Sequence, residues 1–124
     1  MLIFDRLVLD VADLERSVSF YTERLDFQSV SAGDWLGHQT RLLQLGAFHL
    51  LLLEQPGTSN PLNLPKAGPL MTLSEARIDD LYDALQQAGV EIVSPLRDSP
   101  WGSRSFLVRD PDGYLLIVQE PTFA

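Results

Sequence analysis

One order of landmarks occurs twice along this chain of 124 residues, and that internal repeat constrains the fold more than any other feature. The copies are offset by 63 to 65 residues: Asp26-Phe27 parallels Gly89-Val90, and Gln55-Pro56 parallels Glu120-Pro121. In the first copy residues 2–11 alternate as a strand, with Leu7, Leu9 and Val11 on one face and Arg6, Val8 and Asp10 on the other. Asp13 then caps a helix whose apolar residues Leu14, Val18, Tyr21 and Leu25 follow the helical spacing and end near Asp26. Strands are expected at residues 27–32, 39–45 and 48–54, the last two joined by a turn at Gly46-Ala47. The second copy predicts a strand over 70–75 and a helix carrying Ile78, Leu81, Leu85 and Ala88 that stops at Gly89. Strands over 90–93, 103–108 and 114–120 complete it.

A four-stranded sheet with one helix buries only one of its faces, so two such units are expected to pair. The predicted class is therefore α+β: two βαβββ modules around a shared cleft, in a single domain over residues 1–124. Module one covers about residues 1–56 and module two about 69–124, with a Pro-, Gly-, Ser- and Asn-containing linker over about 57–68.

The strongest local signal lies near the C-terminal end. Asp110-Pro111-Asp112-Gly113 specifies a tight reversal: Pro sets φ at one turn position, Gly accepts φ > 0 at another, and Asp bonds the turn amides. It leads into the apolar run Leu115-Leu116-Ile117-Val118. With Pro100-Trp101-Gly102-Ser103-Arg104-Ser105-Phe106 before it and the helix string from Val11 to Tyr21, this segment resembles the vicinal-oxygen-chelate superfamily. That superfamily includes glyoxalases, extradiol dioxygenases, fosfomycin-modifying enzymes and bleomycin-resistance proteins. The resemblance spans essentially the whole chain and implies the paired-module fold.

In metal-dependent members His or Glu side chains on the first and last strands of each module hold one divalent ion. The corresponding positions here fall on Arg6, Leu51 or Leu52, Leu70 and Ile117, none of which ligates a cation. The expectation is accordingly no metal, no cofactor and no catalytic residue. The alternative is a metal-dependent lyase, isomerase or dioxygenase in a shifted register, with His49 and Glu54 or Glu120 as ligands. Against it, His38 and His49 also suit a polar turn and a satisfied strand position, and Glu54 and Glu120 suit solvated strand ends.

Zero cysteines exclude thiolate sites and disulfides, and no Gly-x-Ser-x-Gly, phosphate loop or dinucleotide fingerprint occurs. A net charge of −8 disfavours nucleic acid and anionic membrane as partners and favours a basic small molecule. No apolar run approaches the roughly 18 residues of a membrane span, and the start Met1-Leu2-Ile3-Phe4-Asp5 is unlike a signal peptide, so a cytoplasmic protein is expected.

Candidate ligand-binding residues are Trp35 and Trp101, whose Gly-flanked segments suit stacking on planar rings. Arg104 and Phe106 alternate along the strand after Trp101 and are expected to line the same wall. Arg6 and Asp10 are expected to form a charge pair in the cleft, with Asp34, Glu75 and Asp98 as weaker sources of negative charge. The resemblance to bleomycin-resistance-type proteins implies a homodimer that sequesters a cationic or planar, antibiotic-like molecule in an interface cleft.

Overall fold

The computed structural model describes residues 1–55, 68–98 and 103–121, arranged as two compact units, Met1–Asn63 and Leu64–Ala124. The expected linker and Trp101 fall largely or wholly outside the described residues.

In the first unit β1 (Leu7–Val11) leads into α1 (Leu14–Ser19), then β2 (Gln28–Trp35), β3 (His38–Leu45) and β4 (Phe48–Glu54). The sheet order is β1-β4-β3-β2, with β1 parallel to β4 and the other pairs antiparallel. Asp13 caps α1 as its residue type predicts, Oδ1 accepting from the Arg16 amide at 3.1 Å. A second carboxylate serves the same helix start: Glu54 Oε2 accepts from the Leu14 amide at 2.8 Å, so the end of β4 and the start of α1 are tied together.

Beyond Ser19 the chain continues as a π-helical turn, Phe20–Arg24. Its extra residue per turn leaves the sequence neighbours Phe20 and Tyr21 both buried. Their rings continue edge to face into Phe27 and Phe48, with centroid separations of 5.2, 5.3 and 6.4 Å along the series. The helix face of the sheet, carrying Leu9, Val11, Leu43, Leu50 and Leu52, closes over Leu14, Val18, Tyr21 and Leu25 to form the core of this unit.

The second unit repeats the plan with β5 (Met71–Ser74), α2 (Ile78–Gln87), β6 (Glu91–Asp98), β7 (Arg104–Arg109) and β8 (Leu115–Gln119), in the order β5-β8-β7-β6. Gly89, at φ 78°, ends α2: its amide bonds the Gln86 carbonyl while the Val90 amide bonds that of Leu85, a Schellman closure. In the turn before β8, Asp110 Oδ1 accepts from the amides of Asp112 and Tyr114, both at 2.9 Å, and Gly113 takes φ 96°.

Two strands run further than their sequence suggests. β2 reaches Trp35 because Leu36 adopts φ 51° and Gly37 φ 86°, which makes a two-residue hairpin turn where a longer loop was expected. β6 continues to Asp98 through Pro95; it is an edge strand with two register shifts, where a missing amide donor is tolerated.

Candidate functional site

The sheet of the first unit has one face covered by α1 and the other open. On the open face the strand register lines up cross-strand rows. Val8, Leu51, Leu42 and Ser31 stand side by side in one row, and Leu53, Thr40 and Gly33 in the next. These residues, with Ala32, Arg6 and Trp35, line a cavity of about 370 Å³, within the usual range of small-molecule sites. Trp35 sits at the β2–β3 hairpin end, paired with His38 and 56% exposed. Arg6 lies just before β1, at the opposite corner. Gly33 holds open the space above Thr40, since a Cβ there would come within 3.0 Å of Thr40 Oγ1.

Two of the residues expected from sequence, Arg6 and Trp35, therefore share one pocket, while the others lie elsewhere. Asp10 is on the open face, but its Oδ1 accepts from Gln55 Nε2 at 3.3 Å. The expected Arg6–Asp10 pair is replaced by Arg6 Nε donating to Asp5 at 3.1 Å. Four residues of extended strand separate Arg6 from Asp10 by roughly 13 Å, too far for direct pairing, whereas Asp5 is adjacent in the chain.

Arg104 and Phe106 alternate as predicted, but the face they share is the one packed on α2. Arg104 makes a two-pronged ion pair with Asp79, at 2.9 and 2.8 Å. Phe106 is 2% exposed and meets Tyr82 edge to face at 5.0 Å. Phe106 is thus a core residue, and Arg104 anchors the helix. The Arg104 guanidinium, through its hydrogen bonds, holds the Asp79 carboxyl below the ordinary carboxylate range, and the same contact raises Arg104.

The family metal positions are resolved by the register. Leu51 lines the pocket while Leu52 is fully buried on the helix face. Leu70 is exposed just before β5, and Ile117 is half-buried between Thr72 and Leu107. The oxygen donors at the pocket are the hydroxyls of Ser31 and Thr40, and its nitrogen donor is a guanidinium, a set that does not suit a divalent ion. Among the described residues no group of three or more His, Asp or Glu side chains is arranged to hold a metal ion.

The alternative ligands are engaged in structure. Glu54 caps α1, and Glu120 Oε1 accepts from the Arg104 amide at 3.2 Å. His38 Nδ1 donates to the Glu54 carbonyl at 3.1 Å, and His49 pairs across the sheet with Gln44. Asp34 and Glu75 bond the amides of Gly37 and Arg77, while Asp98 ends β6. Val8, Gly33, Thr40 and Leu42 are site residues that sequence reasoning missed. Their signal was the alternation itself: they are the every-second positions that the helix does not cover.

Among the described residues no helix is long and apolar enough to cross a membrane. Comparison with known proteins adds the context of relatives. A model of the Glyoxalase/Bleomycin resistance protein/Dioxygenase superfamily matches residues 3–118. Virulence protein STM3117 of Salmonella typhimurium is 32% identical over 124 residues, covering 94% of this chain and 82% of its own length. Among solved structures, TnmS3, an antibiotic binding protein from Streptomyces sp. CB03234, superposes with a TM-score of 0.74 at 21% identity, covering 98% and 99% of the two chains. The trypanothione-dependent glyoxalase I of Leishmania major gives 0.77 at 23%, covering 97% and 87%. The same fold thus carries a binder and an enzyme, and the site has to discriminate between them.

Proposed function

The chain belongs to the glyoxalase/bleomycin resistance protein/dioxygenase superfamily, and from that membership and the lining of its pocket we propose that it binds a planar small molecule and holds it, without metal-dependent turnover. The observation that carries this reading is that two of the family's ligand positions, Arg6 and Leu51, line the pocket on the open face of the first sheet without offering a metal donor, beside Val8 and Leu53. A floor of Leu and Val beside an accessible indole supports stacking and apolar burial, and among the described residues its lining contains no histidine and no carboxylate. Sequestration of an antibiotic-like molecule fits this chemistry, and TnmS3 is a relative in fold described as antibiotic-binding. The proposal includes a homodimer whose second copy covers the exposed Trp35 and Val8.

The test is elemental analysis of tag-free protein together with calorimetric titration of acridine- and anthraquinone-type dyes. Binding at one site per chain, weakened about threefold or more by Trp35→Ala, with no stoichiometric metal, is the expected result. Retained stoichiometric metal and no bound dye would overturn it.

A further inference from the structure

We infer that the ligand of this pocket is an elongated planar acid, with its carboxylate on Arg6 and its ring system on the leucine floor toward Trp35. This deepens the small-molecule reading above and rests on it. Among the described residues Arg6 is the one charged residue of the lining. A guanidinium stays protonated, and its planar fork matches a carboxylate with two parallel hydrogen bonds. Its bond to Asp5 uses Nε, and the two terminal amino groups are not engaged in that pair, which leaves them for a ligand. The Asp5 carboxylate is 74% exposed, and an exposed pair of this kind is weak enough to yield to a better-placed anion.

The net charge of −8 argued for a cationic ligand. The lining argues the other way, and distance decides between them. Charges dispersed over the surface are screened beyond about 8 Å at physiological ionic strength, whereas Arg6 meets the ligand at contact. A cationic ligand would set a second positive charge beside Arg6 in a pocket whose other polar groups are neutral hydroxyls. The shape follows from the register. Arg6 precedes the Val8 row and Trp35 lies beyond the Thr40 row, so the two are separated by about three rows, roughly 20 Å of strand. Both line the same cavity as Leu42, Leu51 and Leu53. A fused aromatic acid spans that floor, with its polar end at one corner.

The test is calorimetric titration of the full chain with three matched probes: naphthalene-2-carboxylate, the neutral naphthalene-2-carboxamide and the cationic 2-(aminomethyl)naphthalene. The carboxylate is expected to bind about tenfold more tightly than the carboxamide, equivalent to about 1.4 kcal/mol, and the amine most weakly. Arg6→Gln should erase that preference, bringing the carboxylate down to the affinity of the carboxamide for the same variant. Asp5→Asn should tighten the carboxylate alone, which a merely structural role for Arg6 would not produce. Equal binding of all three probes, or a carboxylate preference that survives Arg6→Gln, overturns the acid while leaving a planar-ligand pocket standing. No binding of any probe overturns both.

Discussion

Replacing Asp110 by alanine tests how much of the second unit depends on one side chain in the turn before β8. Asp110 is 4% exposed, and its Oδ1 takes both the Asp112 and the Tyr114 amide at 2.9 Å. Alanine leaves the main-chain bonds of the turn in place, Asp110 to Tyr114 at 2.8 Å and Gly113 to Asp110 at 3.0 Å. It removes the side-chain acceptor of the two amides. The Tyr114 amide is buried and has no water to turn to, which costs about 1–3 kcal/mol, while the part-buried Asp112 amide rehydrates at about 0.5–1 kcal/mol. The expected destabilisation is therefore about 3 kcal/mol. With a urea dependence of about 2 kcal/mol per molar, the unfolding midpoint of the second unit falls by about 1.5 M. Asp110→Asn keeps a carbonyl oxygen for the two amides and loses the charge, so its cost is expected to be smaller, about 1 kcal/mol. Urea titration by circular dichroism, with exchange of the Tyr114 amide proton as a local probe, measures both. A midpoint for Asp110→Ala within about 0.2 M of the parent, or an asparagine variant as damaged as the alanine one, would refute the reasoning.

Three further outcomes are expected. Gly33→Val fills the space over Thr40 Oγ1 and should lower dye affinity about tenfold or more with an unchanged circular dichroism spectrum; undiminished affinity would place the ligand elsewhere. Leu36→Asn puts a residue tolerant of φ 51° into the β2–β3 turn and should raise stability by about 0.5–1 kcal/mol in urea titration; a loss would mean that Leu36 has a packing role. For Asp79, whose folded carboxyl is held low by Arg104, the stabilisation is full above the ordinary carboxylate range and is lost as pH falls through the lowered value. The melting temperatures of the parent and Asp79→Asn should accordingly differ at pH 7 and converge below pH 4; a gap that persists in acid would show that the pair acts by packing.

The fold was legible wherever local chemistry and burial agree. Residues 48–54 form β4 as read, and Asp13 and Gly89 mark the helix ends at which their side-chain and backbone properties place them. The repeat carried the identical strand order of the two sheets. Errors arose where a residue acts against its type. Leu36 in a left-handed turn and Pro95 inside a strand are allowed by an exposed hairpin end and by a sheet edge, and neither context is written locally. The site was half legible. Alternation placed Arg6 on the open face, but it could not tell which face of β7 meets a helix, so Phe106 was assigned to a wall when it belongs to a core. Gly33 and Thr40 matter through a cross-strand pairing that only the register discloses.

The strand order has a consequence for how the protein is made. In each sheet the strand that comes last in the chain lies inside, with β4 between β1 and β3 and β8 between β5 and β7. In each sheet the first strand, β1 or β5, pairs only with the last, so it has no sheet partner until that last strand arrives. A nascent chain holds every strand of the first sheet once Glu54 has emerged, and lacks the centre of the second until Gln119. At about 5–20 residues per second, the first sheet has seconds in which to form while the strands of the second are still incomplete. Until β8 arrives, β5 and β7 present unpaired edges, which makes that interval the stage of synthesis most exposed to mispairing.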